Sequence, residues 1–185
     1  MIEAIRKRTE VFLKVLDSLP ELRYLGDPVL RTPTEITSVE EGKEIADKLN
    51  KVLIAYRDIA GIGRGLAAPQ IGVARSVFVT YVNNEHQVYI NPKILELSEE
   101  SNLYRELCLS SGLMSVDVAR PKSLTLGWWD EQGKQQQRMF DGFEARLIQH
   151  EYDHLLGIPN LDKAEPSTIE FVVNDPLKEQ LRPKE

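Results

Sequence analysis

Two histidines four residues apart, His150 and His154, stand in the stretch Gln149-His150-Glu151-Tyr152-Asp153-His154. On a helix that spacing puts both rings on one face, one turn apart. Two neutral imidazoles so placed can ligate one transition-metal ion, with Glu151 beside the first ligand. A carboxylate there can take a proton from a metal-bound water, the chemistry of water-activating H-E-x-x-H sites. The chain has 3 His in all, and two of them in one such motif argue against a surface helix that carries histidines by accident.

The elements that must position these side chains can be read from the flanks. Asp141 followed by Glu144 fits a capping box, with Gly142 in the first turn. Phe143, Leu147, His150 and His154 recur at helical spacing as one stripe, and Gly157 and Pro159 supply stop signals. The stripe turns both histidines toward the body of the protein. Upstream, Ile2 to Leu19 reads as an amphipathic helix with Ile5, Phe12, Leu16 and Leu19 on one side, ended by Pro20. Whether it packs on the domain or forms a dimer contact is open. Ser38 and Glu41 form a second capping box, opening a helix with the stripe Ile45, Leu49, Val52, Tyr56 that closes at Gly61.

Val77 to Val82 and Gln87 to Ile90 are β-rich runs joined across Asn83-Asn84, with His86 in the turn as a solvated histidine. Asn91-Pro92 ends that hairpin, and Lys93 to Leu97 reads as a further short strand. Ser123 to Trp129 and Gln137 to Phe140 form another hairpin over Glu131-Gln132-Gly133. Gly63 to Gly72 permits close backbone approach; taken alone it is a tight loop.

A catalytic metal site needs about three protein ligands plus water. No histidine follows His154, so the third ligand is either Cys108, the only cysteine, or a downstream carboxylate such as Glu170 or Glu179. Cys108 could equally be a small buried hydrophobe.

Composition narrows the class. At 185 residues, with no internal repeat or linker, the chain fits one domain over 1–185, with 1–20 as a helical extension and 166–185 as a Pro-punctuated tail. A formal net charge of −6 leaves direct nucleic-acid binding unsupported. No apolar segment approaches the ~20 residues of a membrane span. No secretory or transit signal is evident, and a single cysteine excludes an internal disulfide framework, so a reducing cytoplasm is the default.

Three segments, in order, resemble the signatures of the peptide deformylase family: a G-x-G-x-A-A-x-Q loop at Gly63 to Gln70, an E-G-C-L-S segment at Glu106 to Ser110, and a Q-H-E-x-D-H helix at Gln149 to His154. Asp27 to Arg31, Ile90-Asn91-Pro92, Ala119-Arg120-Pro121 and Ala145-Arg146 are weaker echoes, so the resemblance runs from about Leu25 to Leu161. It implies an α+β fold with antiparallel β-sheets around a central helix bearing the histidines. It further implies a divalent metal held by Cys108, His150 and His154, Fe(II) natively in many members and replaceable by Zn, Ni or Co. The implied substrate is the N-formyl group of methionine on peptides or nascent chains.

Glu151 would then receive and deliver a proton, while the Gln70 side chain and the Leu109 N–H would stabilise the oxyanion. Gly63, Gly65, Leu66, Glu106 and Leu107 would line the substrate strand, and Gly65 would let its backbone lie close. Arg120 would pair with Glu106, with Arg146 and Asp153 as supporting ions. The expected state is a monomer or weak dimer, with no membrane and no direct nucleic-acid partner. At two places the chain departs from the family: Leu107 replaces the glycine before the cysteine, and Ser111-Gly112 replaces a hydrophobic residue and proline. Both departures lie on the wall where a substrate strand would dock. From Asp175 on, three acids offset three bases, so a basic ribosome-docking tail is not expected.

Overall fold

The computed structural model describes residues 2–171 and contains three α-helices and eight β-strands, all the strand pairs antiparallel. The helices are α1 (Ile2–Ser18), α2 (Val39–Ala60) and α3 (Gly142–Leu155). The strands are β1 (Gly65–Ala67), β2 (Val77–Val82), β3 (Glu85–Leu97), β4 (Ser101–Leu107), β5 (Met114–Pro121), β6 (Ser123–Trp129), β7 (Gln135–Asp141) and β8 (Glu170–Phe171). A five-stranded sheet runs β1-β2-β3-β6-β7, and a three-stranded sheet runs β4-β5-β8. This is the α+β arrangement that the sequence suggests. Residues 172–185, which include Glu179 and the charge pattern of the tail, lie outside the described residues.

Alternation along β2 builds the core on both faces of the larger sheet. Val77 and Val79 point to one side, where Ile45, Leu49, Val52 and Leu53 of α2 bury their stripe. Phe78 points to the other, stacking on Tyr89 at 4.4 Å beside Trp128 and Phe140, and there Ala145, Ile148 and Leu155 of α3 complete a second cluster. Because α3 is sandwiched between the sheet and the cleft, its Phe143, Arg146 and Leu147 line the cleft rather than the core.

Local signals hold at most junctions. Ser38 Oγ accepts from Glu41 N at 3.1 Å to open α2, and Gly61 closes it at φ 71°. Asn83 and Asn84 adopt positive φ, the conformation of a tight two-residue hairpin. Gly157 stops α3 where its backbone meets that of Arg31, so closely that a Cβ would lie 2.7 Å from the Arg31 carbonyl carbon.

Other expectations are corrected. Asp141 is the N-cap of α3 but makes no side-chain cap bond; Gly142 N donates to Lys122 O instead, and Glu144 pairs with Arg138. Lys93 to Leu97 is no separate strand. β3 runs through Asn91-Pro92 by means of a bulge, at which Asn91 has φ 48° and its amide clamps the Thr37 backbone. His86 lies in β3 rather than the turn, beside Tyr81. On α1, Val15 rather than Leu16 is buried, and the helix packs on α2. Part of the tail is strand, since β8 pairs with Met114 and Ser115.

Candidate metal centre and active site

The smaller sheet brings together residues far apart in sequence. β4 ends at Leu107, and a one-turn 3-10 helix starts at Leu109, so Cys108 stands at the corner between them. Its Sγ lies 3.2 Å from His154 Nε2 on α3, and the ligand atoms of Cys108, His150 and His154 all lie within 4.8 Å of one another. Glu170, the alternative third ligand, is exposed on β8 and paired with Arg105.

Burial alone would raise the Cys108 thiol, but the charges and hydrogen bonds of His154 and His150 hold it well below its ordinary range. A thiolate beside two imidazoles is a donor set for a divalent transition metal. His150 donates through Nδ1 to Glu106 Oε2 at 2.9 Å, which leaves its Nε2 for the metal.

Glu106 is the hub of a buried ion network. Arg120 donates to it through Nε at 2.6 Å and Nη2 at 3.0 Å, and Arg146 through Nη1 at 2.6 Å. The other arm of Arg120 reaches Asp153 at 2.6 Å, which also receives Lys163 at 2.7 Å. Desolvation would raise the Glu106 pKa, but Arg120 and His150 hold it far below the usual carboxylate range. The network therefore ties β4, β5 and α3 together around His150. Glu106 also lines the cleft, with both carboxylate oxygens engaged by His150 and two arginines.

Glu151, one residue from His150, behaves differently. It is buried, its Oε2 has no hydrogen-bond partner among the described residues, and burial pushes its pKa up to about 7. A buried carboxyl without a partner costs free energy unless something fills the space before it. A metal with its water is what this arrangement of donors fits.

Gly65 on β1 explains how Glu151 finds room, because a Cβ there would lie 2.7 Å from the Glu151 Cδ. The missing side chain accommodates the carboxyl, which is a different reason for glycine from close approach of a substrate backbone. Gln70 Oε1 accepts from Ala67 N at 2.9 Å, which turns Nε2 toward Ser110 Oγ at 3.2 Å and Cys108 Sγ at 3.7 Å. Ser110, which holds that amide, had no role in the sequence reading beyond its place in the motif. Leu109 opens the 3-10 turn, where the first N–H groups have no acceptor within the helix.

A cleft of about 140 Å³ opens beside these groups, lined by Gly63, Gly65, Gln70, Leu107, Leu109 and Glu151 among others. It lies between β1 and β4, the edge strands of the two sheets. Leu66 does not line it; that side chain is fully buried in the core on the α2 side, which corrects its expected place. Leu107 is half-buried and borders the cleft.

Comparison with known proteins agrees with this geometry. A family model described as polypeptide deformylase matches residues 20–170. Curated relatives include the peptide deformylase of Pseudothermotoga lettingae, 40% identical over 162 residues, covering 88% of this chain and 92% of that one. That of Treponema pallidum is 41% identical over 143 residues, covering 77% and 86%. Among solved structures, the Thermotoga maritima enzyme aligns with a TM-score of 0.70 at 34% identity, covering 78% of this chain and 97% of that chain. The Synechococcus elongatus enzyme in complex with actinonin aligns at 0.68 and 37% identity, covering 79% of each. A family match over most of the chain, relatives that align over nearly their full length, and three signature segments converging on one buried cluster lead to one conclusion: the chain belongs to the peptide deformylase family.

Proposed function

We propose that this protein is a metal-dependent hydrolase that removes the formyl group from N-formylmethionyl peptides and nascent chains. The observation that carries this reading is the buried Cys108, His150 and His154 cluster with the Glu151 carboxyl beside it, whose Oε2 has no partner among the described residues. Cys108 as thiolate, His150 and His154 would hold the ion, Fe(II) natively, with Zn, Ni or Co able to replace it. Such an ion, when bound, makes water more acidic and polarises a carbonyl.

The chain's own groups do the rest. Glu151 takes a proton from the attacking water and returns it to the departing amine nitrogen. Gln70 Nε2, fixed as a donor because Oε1 is engaged by Ala67 N, and the Leu109 N–H receive the negative charge that develops on the formyl oxygen. The two facing sheet edges accept the peptide as an added strand, with Gly63 and Gly65 on one side and Leu107 on the other. No helix among the described residues is long and apolar enough to cross a membrane. The reading places the protein in the cytoplasm, as a monomer or weak dimer built as one domain.

Hydrolysis of formyl-Met peptides by anaerobically purified protein, with the bound metal identified, tests this function. Absence of turnover with iron or any of its substitutes would overturn it. Cys108→Ala is expected to lose most bound metal, whereas Glu170→Ala should keep a full equivalent. Retention of metal by Cys108→Ala would refute the ligand set.

Leu107 discriminates a working enzyme from a binder of formylated peptides with little turnover. It borders the cleft and is not among the buried core residues, so Leu107→Gly should cost less stability than the ~2–5 kcal/mol of a core truncation. By freeing backbone for the substrate strand it should raise kcat/KM for formyl-Met peptides. A lower kcat/KM with a clear fall in Tm would instead make Leu107 a structural residue.

A further inference from the structure

A second hollow adjoins the metal cleft, and two residues, Arg64 and Phe143, line both. It encloses about 310 Å³ and is bordered by Arg57 near the end of α2, Tyr81 and Val82 of β2, and the Asn83-Asn84 turn. Its two cations are held in place. The Arg57 guanidinium lies 4.3 Å from the Tyr81 ring centroid and donates through Nη1 to Gly63 O. Arg64 lies 4.6 Å from the Phe143 ring centroid, and its carbonyl accepts from Tyr81 N at 2.7 Å. Gly63 leaves room for this arrangement, since a Cβ there would lie 3.3 Å from Arg57 Cγ.

The hollow lies where a bound peptide would leave. β1 starts at Gly65, whose missing side chain faces Glu151, and ends at Ala67, which is fully buried. A strand added to this edge with its formyl end at Glu151 must run out past Arg64 and Gly63. Alternation then sets the faces. Gly65 faces α3 through Glu151, Leu66 packs on the α2 side, and Arg64, two positions before Leu66, falls on the α2 side with Arg57. Directly paired residues share a face, so the first substrate residue, beside Gly65, turns toward α3 and the second, beside Arg64, toward the arginines. None of the described residues that line the hollow is acidic, and burial followed by the Arg57 charge lowers the Arg64 pKa. Two guanidinium groups that oppose one another in a half-buried site favour a shared anion.

We propose that Arg57 and Arg64 form an anion subsite that selects a carboxylate at the second residue of the formylated peptide, either an acidic side chain or, in a dipeptide, the free C-terminus. The inference rests on the deformylase reading above. A carboxylate shared by two arginines accepts charge-assisted hydrogen bonds that a neutral amide makes more weakly.

Amidated formyl-Met-Xaa-Ala peptides, with Glu, Gln or Lys as Xaa, test the side-chain source, and formyl-Met-Ala against its amide tests the C-terminal source. With the metal-loaded parent, kcat/KM should favour Glu over Gln by ~5–10-fold, with Lys lowest. Arg64→Gln should bring the Glu-to-Gln ratio close to one, and Arg64→Glu should invert it in favour of Lys. Arg57→Lys keeps the charge and should keep part of the preference that Arg57→Gln loses, whereas a mere brace at Gly63 O would scale all peptides alike. A preference in only one of the two sets assigns the subsite to that source. Equal kcat/KM within both sets overturns the proposal, as does a preference that survives Arg64→Gln undiminished. If the parent hydrolyses none of the peptides, the deformylase reading has failed. The same ratios are then read as binding affinities by calorimetry, where equal affinities overturn the subsite as well.

Discussion

Glu151→Gln is expected to bind metal as the parent does and to lose kcat by ~10²–10⁴-fold, the usual consequence of removing a general acid–base group. The amide keeps the shape of the side chain, so the space made by Gly65 stays filled and the neighbouring His150 stays in place. What disappears is the ability to accept a proton. The pH profile separates this role from a structural one. Burial pushes the Glu151 carboxyl up to about 7, and a bound dication nearby pulls it back toward its ordinary value of 4.5. The base works deprotonated, so activity is lost as pH falls, with the midpoint of the acid limb expected between those two values. Glu151→Gln should lack that limb. Near-parental turnover, or an unchanged acid limb, would remove Glu151 from the chemistry.

A second large effect is expected at Glu106, although it is not a ligand. Glu106→Gln removes the negative charge shared by Arg120, Arg146 and the His150 Nδ1–H, all of them buried. Leaving buried cations without their counter-charge typically costs ~3–5 kcal/mol. Loss of the carboxylate that orients a metal-bound histidine typically lowers metal affinity ~10–100-fold. The variant should therefore show a fall in Tm together with weaker metal binding. Arg146 retains bonds to Asn102 and to Val118 O, so Arg120 is the cation left most dependent on the remaining acid, Asp153. Glu106→Gln with parental Tm and parental metal affinity would show that the network is dispensable.

These two carboxylates show how one sequence motif divides in space. Both are buried acids, but Glu106 meets two guanidinium groups and is held ionised, whereas Glu151 Oε2 has no partner among the described residues and burial pushes the carboxyl toward neutrality. The sequence distance between an acid and a histidine does not carry that distinction. It depends on where Arg120 and Arg146, from β5 and α3, come to lie.

Several features follow from local chemistry and are legible in the sequence. The four-residue spacing of His150 and His154 places both on one helical face whatever the surroundings, and Ser38, Gly61, Asn83-Asn84 and Gly157 act within a few residues of themselves. Periodicity likewise marks α2 and the hairpin of β6 and β7. By contrast, β4 and β5 escape a hydrophobic pattern because their buried positions carry Glu106, Asp117 and Arg120, charges that become tolerable only when paired across strands and with α3.

Cys108 as a neighbour of His154, 46 positions away, is likewise a product of tertiary structure, since residue chemistry alone left Glu170 and Glu179 as competitors. So is the reason for Gly65, whose absent side chain is explained by Glu151 from another element. The amphipathic pattern of α1 showed that it must cover something apolar, but not what. Burial is set by periodicity along one helix, whereas the identity of the covered surface depends on long-range packing, which here brings Phe12 to Gly112 at the edge of the cleft.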